Sequence, residues 1–146
     1  MQPILKTPLS LALSLALAAS LAVGAFGLAG AANAWPRLTG EEELAKTLKD
    51  RVAGKPVDCI YLPTIQSSRI IDRTAIVYDS GRTIYVNRPR GGAEQLNDSD
   101  VMVLNLHSSQ LCSIDIIHLL DQTSHFQTGF VNLGEFVPYT RVKKAS

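Results

Sequence analysis

The chain has 146 residues, 46% of them hydrophobic and 18% charged, with 14 Lys+Arg against 13 Asp+Glu. That length suits one domain with a modest core, and the near-neutral balance gives no general pull toward nucleic acid or anionic membranes. No cofactor or metal-binding motif is present, so no cofactor is expected.

Residues 1–34 differ from the rest. They carry one charge, Lys6, followed by an apolar stretch from Leu9 to about Ala32 and a small-x-small triplet, Ala32-Asn33-Ala34. A positive start, an apolar middle and small residues at the end make a secretory signal peptide, with cleavage expected between Ala34 and Trp35. The stretch is long enough for a membrane anchor. Its second half, however, is rich in Ala and Gly, and no Cys follows the site to take a lipid. No stable membrane span is therefore expected after cleavage. The remaining 112 residues carry 13 charges of each sign.

Residues 35–56 read as a leader and an amphipathic helix. Thr39 with Glu42 makes a capping box, and Glu41, Glu42 and Glu43 suit the positive end of the helix dipole. Leu44, Leu48 and Val52 fall on one stripe, and Gly54 with Pro56 ends the helix.

Residues 57–142 read as strands of the same domain. Candidate strands are Val57–Leu62, Ser68–Ile71, Thr74–Tyr78, Thr83–Asn87, Asp100–Leu106, Leu111–Leu119 (with an optional helical turn at Ile116–Leu120) and Gly129–Pro138. Arg88-Pro-Arg-Gly-Gly, Asn97-Asp-Ser-Asp and Thr123–Thr128 punctuate them, and 143–146 is a disordered tail. A two-residue Ser80-Gly81 loop makes a hairpin that pairs Asp79 with Arg82, Val77 with Ile84 and Ala75 with Val86, with one apolar face. The expected fold is α+β and mainly β: one N-terminal helix, then about six short strands in an antiparallel sheet or a partly open small barrel.

Cys59 and Cys112 are the two cysteines. Export places them in an oxidising compartment, and an even count favours a disulfide. It would close a loop of about 54 residues, a constraint of roughly 4 kcal/mol in the chain-entropy model. Zinc held by both cysteines and two of His107, His118 and His125 lacks the short spacing of known sites. A catalytic thiol with His118 as base lacks a nucleophile signature.

Two further groups bear on function. The hairpin register sets Arg73 opposite Arg88, an unfavourable like-charge pair, with Arg90 and the Gly91-Gly92 backbone close by. Together they form a candidate site for a phosphate or carboxylate. The bland alternative is that the arginines reach into solvent or pair with Asp72, Glu94 or Asp98. Asp115 and His118, three residues apart, share a face only on a helix, and a catalytic pair needs a third group and a pocket.

The segments Val57-Asp-Cys, Ser68-Arg-Ile-Ile-Asp, Ile84-Tyr-Val-Asn-Arg-Pro-Arg, Ser109-Gln-Leu-Cys-Ser-Ile-Asp and Gly134-Glu-Phe-Val-Pro-Tyr resemble an uncharacterised family of small exported alphaproteobacterial proteins, domain of unknown function 6491. The resemblance spans about Lys55 to Arg141. It implies bacterial export and assigns no activity. The reading that follows is a periplasmic or secreted, non-enzymatic module that binds a small ligand or an envelope protein. The alternative is a small hydrolase using Asp115 and His118 or the arginines. A third is an inhibitor- or chaperone-like accessory protein.

Overall fold

Thr39 opens the first regular element as its sequence predicts. Its hydroxyl accepts from the Glu42 backbone N–H, and the Glu42 carboxylate accepts from the Thr39 backbone N–H at 2.8 Å. The computed structural model describes residues 37–142. The expected signal peptide, its cleavage site at Ala34–Trp35 and the 143–146 tail lie outside them.

Helix α1 covers Gly40–Thr47 and is shorter than the stripe predicts. Leu44 is buried and Leu48 packs beside it, but Val52 is 61% exposed and belongs to a strand. The cause is Asp50, whose left-handed backbone (φ 61°) turns the chain out of the helix. Asp tolerates that conformation better than most residues.

Ten strands follow among the described residues: β1 (Arg51–Ala53), β2 (Cys59–Tyr61), β3 (Ser67–Ile71), β4 (Ala75–Ser80), β5 (Thr83–Asn87), β6 (Asp100–Leu104), β7 (Gln110–Cys112), β8 (Ile116–Asp121), β9 (Gln127–Asn132) and β10 (Phe136–Arg141). They form three antiparallel sheets with strand orders β1-β10-β5-β4-β3, β2-β7 and β6-β8-β9. Among the described residues none closes into a barrel.

Two expected strands are each divided. Ser113-Ile114-Asp115 breaks Leu111–Leu119 into β7 and β8, because the Asp115 carboxylate accepts the Cys112 N–H at 2.7 Å and the Asp115 N–H reaches the Cys112 carbonyl. No helical turn forms at Ile116–Leu120; those residues belong to β8. Leu133-Gly134-Glu135 separates β9 from β10. There the buried Asn87 amide clamps Gly134, donating to its carbonyl at 2.6 Å and accepting its N–H at 3.1 Å.

The β4–β5 hairpin forms with a different register. Its loop is Gly81-Arg82, and the pairs are Ser80–Thr83, Asp79–Ile84, Tyr78–Tyr85 and Val77–Val86. Gly81 supplies positive φ (75°) at the first loop position, and Asp79 accepts the Gly81 N–H at 2.7 Å instead of pairing with Arg82. A Gly at the first of two loop positions is what this tight turn demands. Every partner moves by two residues, so each side chain keeps its expected face.

Both faces of this hairpin are covered, rather than one. On one side Ala75, Val77, Ile84 and Val86 pack with Leu44 of α1 and Ile71. On the other, Ile76 and Tyr78 join Phe136, Ile60, Leu111, Ile117, Leu119 and Val131, which fill the space between the five-stranded sheet and the two smaller ones.

Candidate functional site

Cys59 and Cys112 stand directly opposite each other in the β2–β7 register and are joined by a disulfide, with Cα atoms 4.0 Å apart. Two strands of three residues are marginal by themselves. The Leu62 N–H to Ser109 carbonyl and Ser113 N–H to Asp58 carbonyl bonds extend the ribbon, and the covalent bond fixes its register. Neither sulfur is free. This removes the zinc and catalytic-thiol alternatives, since both need a thiolate. Among the described residues no cluster of three metal-ligating side chains occurs.

The expected Arg73–Arg88 pairing does not form, because the hairpin register differs. Arg73 sits in the β3–β4 loop with φ 50°, its N–H donating to the Leu96 carbonyl. It borders a shallow concavity together with Glu41, Asp72 and Glu94. Arg88 makes a two-pronged pair with Glu41 of α1, at 2.6 and 2.8 Å. Those bonds hold the Glu41 carboxyl below the usual range. Both side chains are more than half exposed, so the pair contributes about 0–1 kcal/mol and serves mainly to dock α1. Arg90 donates to the Leu133 carbonyl at 2.9 Å and to the Ser113 carbonyl. The three arginines thus have three different sets of partners. Arg90 ties the β7–β8 and β9–β10 links together, and Gly92, at φ 83°, lets this segment lie against the Phe130 carbonyl.

Asp115 and His118 are not brought into a hydrogen-bonded pair. Asp115 is engaged by the turn that ends β7, and His118 lies within β8, opposite Val103 and Phe130.

The sequence reading missed what surrounds His118. Along β8, Ile117 and Leu119 are fully buried, so Ile116, His118 and Leu120 face the other way. The register adds Val101 and Val103 from β6 and Phe130 from β9 to the same face. Ile116 and Phe130 are each 47% exposed and Val101 is 46% exposed. The face presents roughly a few hundred Å² of apolar surface, in the range of the largest patches on monomeric proteins, which are often functional. The available signal was that β6 and β8 carry apolar residues at successive positions, as a strand covered on both sides does. Here only one side is covered within the described residues.

Among the described residues no helix is long and apolar enough to cross a membrane. The chain matches no protein-family model, no curated protein and no solved structure.

Proposed function

We propose that this protein is an exported, non-enzymatic binding module that engages an envelope protein through the outer face of its three-stranded sheet. The observation that carries this reading is the row of half-exposed Val101, Ile116 and Phe130 around His118 on one sheet face. Removing apolar surface from water favours association by about 25 cal/mol per Å² before the ordering costs of binding are subtracted. An open sheet face suits a protein partner better than a small ligand, which prefers a concave pocket.

Three other observations support it. The Cys59–Cys112 disulfide fits an oxidising compartment. The N-terminal segment has the composition of a signal peptide. The polar residues with the best claim to chemistry, Asp115, Arg88 and Arg90, each hold structural hydrogen bonds.

The test is a photoreactive residue at position 130, with the same residue at Ala45 on the exposed side of α1 as control, in cells separated into cytoplasm and envelope. The expected result is one discrete adduct in the envelope fraction from position 130, lost when Ile116→Ser is added. Equal labelling from both positions, or none, contradicts the reading. The intact mass of the same material should begin at Trp35.

A further inference from the structure

The end of α1, the start of β1 and the end of β10 border an open concavity of about 720 Å³, whose charged lining is Lys46, Lys49, Arg51 and Arg141 against the single carboxylate of Asp50. Part of this has a bland cause, since Lys46 in the last turn complements the helix dipole. The arginines need another. Arg51 and Arg141 stand directly opposite each other across β1–β10. Cβ atoms in such pairs are on the order of 5 Å apart, and like charges there are destabilising. The ion pairs of the described residues, Arg69–Glu43 and Arg88–Glu41, lie elsewhere. Among the described residues, no carboxylate comes within ion-pairing distance of these four cations.

Arg51 is also held in place. Arg51 donates through one Nη to the carbonyls of Arg82 and Tyr139, at 3.0 and 3.3 Å, and the Arg141 backbone N–H donates to the same Arg82 carbonyl. The left-handed Asp50 fixes the corner from which β1 starts. A guanidinium held this way loses little freedom on meeting a ligand.

We propose that this concavity binds a phosphate-bearing anion, with Arg51 and Arg141 as paired donors and Lys46 and Lys49 as flanking charges. Paired guanidinium forks match the several oxygens of a phosphate, and the lysines add charge without a fixed geometry. The phosphate could belong to a small phosphorylated solute or to the headgroup of an anionic phospholipid. The surface lies on different elements from the apolar sheet face and stands independently of it.

The experiment uses the purified, disulfide-bonded chain in two arms. One is calorimetric titration with inorganic pyrophosphate at constant ionic strength. The other is cosedimentation with vesicles of phosphatidylglycerol and phosphatidylcholine, against phosphatidylcholine alone. Each is repeated with K46Q/K49Q, R141Q and, as a control, R73Q, whose exposed side chain borders the other concavity. Lys46 and Lys49 make no side-chain hydrogen bond among the described residues, so their double variant should melt like the parent. Saturable pyrophosphate binding that weakens about tenfold or more in K46Q/K49Q and in R141Q, but not in R73Q, supports a soluble ligand. Binding to the anionic vesicles alone, with the same pattern of variants, supports a lipid headgroup. No binding in either arm overturns the proposal, as does binding that survives both K46Q/K49Q and R141Q or that R73Q abolishes.

Discussion

The five-stranded and three-stranded sheets are built by the same antiparallel pairing, yet they meet solvent differently. In the larger sheet β4 is covered on both faces, by α1 and Ile71 on one side and by the shared core on the other. In the smaller sheet the inward residues Ile117, Leu119 and Val131 are fully buried, while their neighbours Ile116 and Phe130 remain half exposed. The apolar side chains of β4 are accounted for by folding alone. The smaller sheet carries more apolar surface than folding uses, and that surplus is where a binding function is sought.

The sharpest way to break the contrast is to truncate two neighbours on β8. Ile117→Ala should cost about 2–5 kcal/mol, as expected for a cavity in a close-packed core. Ile116→Ala should cost less than about 1 kcal/mol, since surface changes are usually small. Denaturant midpoints measure both. Similar losses would mean that the outer face is covered after all.

The disulfide comes next. Cys59→Ser with Cys112→Ser should cost about 2–4 kcal/mol by releasing a large loop in the unfolded chain. A loss well under 1 kcal/mol would show that packing alone holds the two-stranded ribbon. Asn87→Ala should cost about 1–3 kcal/mol, because it strands the buried N–H and carbonyl of Gly134.

These predictions draw unequally on what could be read beforehand. The capping box at Thr39 and Glu42, β3 and the faces of the hairpin are local patterns, and they were legible. The disulfide followed from the even cysteine count and the export signal. The end of α1 was not legible, because Leu44, Leu48 and Val52 keep helical spacing while the left-handed Asp50 breaks the chain. The same helical spacing runs past Arg51, and so hides its place opposite Arg141 across β1–β10. The Asn87–Gly134 clamp spans 47 residues and has no local signature. The outer face of β8 could not be separated from its inner face, because both are apolar. Only the sheet register shows which side is covered.

The smallest effect concerns Tyr78. Its hydroxyl is buried without a hydrogen-bond partner among the described residues, and its ring meets Phe136 edge-on. Tyr78→Phe should leave stability within about 1 kcal/mol of the parent or raise it slightly, since an unpaired buried hydroxyl contributes nothing favourable. Burial pushes the phenol well above its ordinary value. The folded chain therefore keeps Tyr78 neutral where the unfolded chain ionises it. No stability is lost through this group below about pH 10, and the fold loses stability as pH rises beyond that value. Alkaline unfolding of the parent and of Tyr78→Phe, compared at matched denaturant, should show the steeper fall in the parent.

The most direct test of the account is the double variant Ile116→Ser/Phe130→Ser, measured for stability and for photo-crosslinking in the envelope from a reporter at Val101. A binding face predicts a denaturant midpoint close to that of the parent and loss of the adduct. A midpoint that falls as far as that of Ile117→Ala, or an adduct that survives the substitutions, would contradict it.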